Sequence, residues 1–112
     1  MASRICFVEL PASATTPAKA FYAAAFDLKM TDFGPTYACT MSGDVDLGLQ
    51  ADPDEATRAP LPVIQVDSLD VAETLVRKAG GVITKAPFSF PGGRRFHFRD
   101  PAGNELAAMQ AG

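Results

Sequence analysis

The sequence predicts an α+β fold made of two β-α-β-β-β modules, and three observations carry that reading. Short alternating runs of strand length are separated by two longer segments of helical period. The order strand, helix, three short strands occurs twice, at a spacing of about 55 residues. The chain has 112 residues, 47% hydrophobic against 21% charged, which suits one small folded domain. A single domain over residues 1–112 is therefore expected, with modules at about 4–50 and 61–110 joined by a linker at 51–60. One module alone leaves an apolar sheet face uncovered, so pairing two is expected to close a core or a shared cavity, with a ferredoxin-like two-layer sandwich as the rival arrangement.

Each element has a local reason. Residues 4–10, RICFVEL, alternate as a strand, with Ile5, Phe7 and Glu9 on one side and Cys6, Val8 and Leu10 on the other. Pro11 closes it. Thr16 before Pro17 has the signature of a helix start, and residues 17–26 place Ala18, Phe21, Tyr22, Ala25 and Phe26 on one apolar stripe. Residues 27–34 lead into strands at 36–41 and 45–50, around the turn Ser42-Gly43-Asp44. The polar, proline-bounded ADPDEATRAP at 51–60 is a connector. Residues 61–66 make the next strand, and Ser68 or Asp67 caps a helix over about 70–79 whose Val71, Leu75, Val76 and Ala79 face a core. Gly80-Gly81 stops it, because glycine enters the left-handed region cheaply. Val82-Ile83 begins a short strand, APFSFPGG at 86–93 reads as a loop, and residues 94–99 and 104–109 are strands joined by Asp100-Pro101-Ala102-Gly103.

Composition removes several function classes. A net charge of −3, with no basic cluster beyond Arg94-Arg95, is wrong for a protein that tracks nucleic-acid phosphates. No apolar run approaches the roughly 20 residues that span a bilayer, and the start MASRICFVEL lacks the regions of a signal peptide. A cytoplasmic protein without membrane or nucleic-acid partners is expected. Cys6 and Cys39 lie far apart in apolar strand contexts and read as reduced core thiols.

Few residues suggest chemistry. Glu9 shares a strand face with Phe7, where a carboxylate needs a cation, a metal or water; it either faces a cavity or reaches solvent near Pro11. Gln50 and Gln65 are amides in apolar strands, able to donate and accept toward a ligand or a neighbouring strand. Tyr37 offers ring surface with a polar tip. His97 is the one histidine, and alternation sets it with Arg95 and Arg99, opposite Phe96 and Phe98. The simplest reading turns the phenylalanines inward and the three basic side chains toward solvent, a ligand entrance or another subunit. Asp100 and Asn104 suit turn capping, whereas Glu105, on the face of Ala107, can serve either the turn or a cavity. Gly92-Gly93 has no helix after it and is no phosphate cradle. One histidine cannot furnish a two-histidine, one-carboxylate metal site within a chain.

AFYAAAFDL at 20–28 and FRDPAGNELAAM at 98–109 resemble the glyoxalase, bleomycin-resistance and extradiol-dioxygenase superfamily, the vicinal oxygen chelate fold. The likeness spans almost the whole chain and is nearest to small glyoxalase-like members. It implies paired β-α-β-β-β modules curled around a cavity, often in a homodimer, with a divalent metal held from several strands. Carried onto this sequence, the ligand positions fall on Phe7, near Leu61 and on Ala107, whose hydrocarbon side chains cannot coordinate an ion. The acid of the loop before the first helix is replaced by Ala14 or Thr15.

The function that follows is binding of a small apolar or aromatic molecule with no metal and no cofactor. Phe7, Val63 and Ala107 would form apolar wall, while Glu9, Tyr37, Gln50, Gln65 and Glu105 orient polar groups. One alternative is a lyase or isomerase that uses Glu9 or Glu105 as a base beside a displaced divalent metal. A structural or regulatory dimeric domain is another. The sequence leaves open whether the chain is an enzyme.

Overall fold

The computed structural model describes residues 2–112 and follows the order β1 (Ser3–Pro11), α1 (Thr15–Phe26), β2 (Thr31–Asp32), β3 (Tyr37–Cys39), β4 (Asp46–Gln50), β5 (Leu61–Val66), α2 (Leu69–Lys78), β6 (Val82–Phe90), β7 (Gly93–Arg99) and β8 (Glu105–Ala111). This is the α+β class, with the β-α-β-β-β order occurring twice. The chain divides into two compact units, one formed by Phe7–Leu61 and the other by Pro62–Gly112 with the N-terminal residues through Cys6.

In the first unit the strands run β2-β3-β4-β1, with β1 parallel to β4 and the others antiparallel. In the second they run β5-β8-β7-β6, with β5 parallel to β8 and the rest antiparallel. Each module thus sets its first strand parallel to its last. A parallel pair needs a crossover connection, and the module's helix lies within it.

The second unit has a conventional core. Val66, Leu69, Ala72, Phe96 and Ala108 are buried together, with Ile64, Val76, Ile83 and Phe98 packed against them. The inward side of α2 is therefore Leu69, Ala72 and Val76. Val71, Leu75 and Ala79, expected to face the core, lie exposed because the buried stripe is rotated about the helix axis. Ser68 caps the helix as expected, its Oγ accepting from the Val71 N–H at 3.3 Å. Gly80, at φ +97°, turns the chain out of it.

Three further expectations change. Helix α1 starts at Thr15 after Ala14, which offers no capping side chain, so Thr16 is not the cap. Its apolar stripe is not buried: Ala18 and Tyr22 are half-covered, whereas Phe21 and Phe26 are 58% and 66% exposed. Finally, the segment read as a loop at 86–93 is mostly strand, since β6 continues to Phe90. Pro87 fits there because β6 ends the strand order of its unit, where a missing N–H leaves no ladder bond unmade. No helix among the described residues is long and apolar enough to cross a membrane.

Candidate functional site

The site is set by the turn between β7 and β8. Asp100 N–H donates to the Asn104 carbonyl at 2.9 Å, and Asp100 Oδ1 accepts from the Asn104 N–H at 2.9 Å. Three residues, 101–103, therefore close the hairpin, with Gly103 at φ +93° supplying the left-handed position. This turn fixes the register Arg99↔Glu105, His97↔Ala107 and Arg95↔Met109. On the other side of β8, Val63 pairs with Ala107 and Gln65 with Met109. Directly opposed residues share a face, so one side of the sheet in this unit carries Val63, Gln65, Arg95, His97, Glu105, Ala107 and Met109. Phe96, Ala108 and Ile64 occupy the other side, in the core that holds α2.

His97 is the centre of the polar face. It does not point to solvent; it is 2% exposed, and Arg95 is 3% exposed. Both faces of β7 are covered at these positions, which alternation alone does not distinguish from one wet face. The imidazole Nδ1 lies 3.3 Å from Glu105 Oε2, and the same oxygen accepts from Thr84 Oγ1 at 3.1 Å. A carboxylate only accepts, so Nδ1 carries the proton and the neutral ring keeps its lone pair on Nε2. That Nε2 is buried and has no hydrogen-bond partner among the described residues. Burial first, and the Arg95 charge second, hold His97 below its ordinary basicity; Lys85 adds to this, while the hydrogen bond and charge of Glu105 oppose it. Glu105 stays 28% exposed at its side chain, so the pair has a dry end and a wet end.

Aromatic rings complete the cluster. Phe88 packs on His97 with ring centroids 5.7 Å apart, and Arg95 Cζ sits 5.2 Å from the Phe88 ring and 4.9 Å from that of Phe90. Lys85 Nζ lies 4.3 Å from the centre of Phe88. Gln65 is half-buried and accepts from an Arg4 Nη at 3.4 Å. Val63 and Ala107 are fully buried.

The remaining candidates belong to the first unit. Its register puts Phe7, Glu9, Tyr37 and Gln50 on one face, together with Asp46, Gly48 and Cys39. Glu9 lies in the interior, 1% exposed, instead of reaching solvent beside Pro11. Tyr37 lays its phenol over Gly48: a Cβ at Gly48 would stand 2.7 Å from the Tyr37 hydroxyl oxygen. The amide oxygen of Gln50 takes the Asp52 N–H at 3.0 Å, and Asp46 takes Thr40 Oγ1 at 2.7 Å and Ser42 Oγ at 2.6 Å. These two groups hold local loops.

The residues do not fit a divalent ion. Phe7, Leu61 and Ala107 are hydrocarbon, Glu105 is committed to His97 and Thr84, and no three His, Cys, Asp or Glu side chains gather among the described residues. The sequence expectation turned His97 and Arg95 toward solvent, an entrance or another subunit and read Phe88 as part of a loop, whereas both basic residues are buried and Phe88 lies on β6. A three-residue hairpin loop ending in glycine was the available signal for His97, because it aligns that residue with Ala107.

No curated protein sequence matches the chain. Solved structures do. A hypothetical protein from Bacillus halodurans superposes with a TM-score of 0.79 at 14% identity, covering 100% of this chain and 96% of that one. Methylmalonyl-CoA epimerase from Mycobacterium tuberculosis gives 0.75 at 13% identity, over 96% and 87%. The Mn(II)-bound glyoxalase from Novosphingobium aromaticivorans gives 0.69 at 21% identity, over 97% of this chain and 40% of that one. These likenesses show the fold. The family model for the glyoxalase/bleomycin resistance protein/dioxygenase superfamily matches residues 4–108, so the chain belongs to that superfamily.

Proposed function

We propose that the chain is a proton-transfer enzyme of the isomerase or lyase type acting on a small carbonyl compound. The observation that carries this is His97: a buried imidazole oriented by Glu105, with an unpartnered Nε2, on the strand beside Ala107. An oriented, neutral imidazole is suited to take a proton from carbon next to a carbonyl. Glu105, one of the two carboxylates expected to matter, then acts through the histidine. It holds the Nδ1 proton and stabilises the imidazolium that forms when Nε2 takes the substrate proton. Arg95 and Lys85 place positive charge near His97, where it would stabilise an enolate-like oxygen on a bound substrate. An epimerase among the structures of this fold supports the same reaction class.

The test is solvent-deuterium exchange at the α-carbon of small 2-oxo acids and acyl thioesters, followed by NMR. His97→Gln is expected to lower the exchange rate by roughly 10²-fold or more, the usual worth of a general base, and Glu105→Gln by less. Exchange that is indifferent to His97→Gln overturns the reading.

A second reading keeps the protein a binder of a small apolar or aromatic molecule. Val63, Ala107 and Met109 beside Phe88 and Phe90 favour it. Saturable binding of an aromatic probe by chelator-treated protein, with no exchange on any carbonyl compound, would select it. In either case we propose a cytoplasmic homodimer, supported by the exposed apolar side chains Phe21, Phe26, Leu28, Phe33, Met41 and Val45 of the first unit.

A further inference from the structure

Strand β6 begins in regular antiparallel register with β7, at Val82↔Arg99 and Ile83↔Phe98. Continued without interruption, that register would set Phe88 opposite Gly93. Instead it slips once before Lys85, which pairs with His97, and again before Phe88, which pairs with Arg95. Each slip inserts one residue. Together they slide Phe88 by two residues, roughly 7 Å of strand, toward His97, while keeping it on the His97 side of the sheet. Its ring then reaches the imidazole diagonally, at 5.7 Å and a 52° tilt. Bulges of this kind re-aim side chains beside sites. Two in one strand converge here on one ring.

We propose that Phe88 is a positioning residue that covers His97 and must swing aside for a substrate to reach Nε2. The inference rests on the reading of His97 as the base. The ring is half-buried on a strand that ends the order of its unit and pairs with β7 alone, so no second strand holds it in place. The charged groups facing the imidazole are Arg95 on its own strand, Lys85 on β6 and Glu105 on β8. Phe88 touches two of them, Lys85 and Arg95, so its movement also changes where positive charge stands around the ring.

Because the chain has one histidine, its modification reports a single site. The test is the rate of carbethoxylation by diethyl pyrocarbonate at neutral pH, on whole folded protein. Phe88→Val suits an edge strand but removes the ring, and is expected to raise the rate about tenfold, as loss of local protection does. Phe88→Leu, which keeps bulk, is expected to restore most of the slow rate. Phe90→Val is the control, since Phe90 stacks on Arg95 but not on His97; it is expected to leave the rate unchanged. An unchanged rate in folded Phe88→Val overturns the proposal, as does equal acceleration in Phe90→Val, which would mean general loosening of the hairpin. The readout needs no substrate, so a fast Phe88→Val without any exchange activity would support the cover and reject the base.

Discussion

The two modules share an order of elements but hold their helices differently. Helix α2 is amphipathic and tied at its start twice, by Ser68 Oγ to the Val71 N–H and by the Gln110 side chain of β8 to the Leu69 N–H at 2.8 Å. Asp70 sits in its first turn and Arg77 and Lys78 in its last, each suited to the helix dipole. Helix α1, TTPAKAFYAAAF, has one charged residue, no side-chain cap and no acid or base in its terminal turns; it ends in the left-handed conformation at Asp27. A helix apolar nearly all round belongs inside a structure, yet only Thr15 of α1 is buried. Twelve residues are too few for propensity alone to hold such a helix in water. The difference teaches that α2 buries its apolar stripe within its own unit, whereas α1, though it rests on β3 and β4, leaves Phe21 and Phe26 exposed, as the proposed homodimer requires. The proposed chemistry follows the same division, with His97 and Glu105 in the module of α2.

The largest effect that can break this comparison comes from a pair of substitutions. Leu69→Ala removes a fully buried side chain from the α2 core and is expected to cost about 2–5 kcal/mol, whatever the protein concentration. Phe21→Asp, on the exposed side of α1, is expected to change the unfolding of the dissociated chain by only about 0.5 kcal/mol while weakening self-association. Urea denaturation at two concentrations, with sedimentation equilibrium, separates these outcomes. A concentration-independent loss from Phe21→Asp comparable to that of Leu69→Ala would show that α1 is packed within its own chain, and the contrast would fail.

How much of this was legible follows residue by residue. The strand at Leu61–Val66 and the Ser68 cap were readable because β-branched alternation and an N-cap hydroxyl are local signals. The paired module order was readable for the same reason, repeated twice. Register was not. A slip of one residue turns every side chain over, and the slips before Lys85 and Phe88 leave no mark in the sequence beyond a segment that resembles a loop. His97 was misplaced because alternation reports which residues share a face, not whether that face is wet. Phe21 and Phe26 were misplaced because apolar spacing predicts what a helix could bury, not how much of that stripe its own sheet covers.

Acid titration sharpens the comparison next, since each module carries its own perturbed group. His97, in the second, is held below its ordinary value by burial and by Arg95. Between that lowered value and about 6.5 the unfolded chain binds a proton that the folded chain refuses, so stability falls as pH falls through this window and is flat above it for this group. The slope is at most ~1.4 kcal/mol per pH unit. In the first module, burial pushes the Asp46 carboxyl up, but hydrogen bonds from Ser42 and Thr40 outweigh it and leave it below the usual range. Its contribution is present above the ordinary carboxylate value near 3.9 and is lost only at lower pH, as pH falls through the depressed folded value. Urea midpoints from pH 8 to 5 for wild type and His97→Gln are therefore expected to converge below about pH 6.5 as wild type loses stability faster. Parallel curves would show that His97 is not the dry group its surroundings imply.

The smallest effects lie at the helix starts. Ser68→Ala deletes the bond to the Val71 N–H and is expected to cost about 1 kcal/mol. Part of the α2 terminus stays held by Gln110, so Gln110→Ala combined with Ser68→Ala should exceed the sum of the two single losses, because together they leave the first turn without side-chain acceptors. At α1 the sign reverses. Ala14 already has the extended backbone of a cap, φ −156° and ψ 150°, but no acceptor, so Ala14→Ser is expected to stabilise by about 0.5–1 kcal/mol. The measurement is the urea midpoint of the dissociated chain, since association would add its own term. A gain at Ala14 as large as the loss at Ser68 would mean that α1 is folded as firmly as α2 and lacks only an acceptor. A gain well below it would mean that the first turn of α1 is already frayed in the single chain, the state expected of a helix whose packing partner is elsewhere.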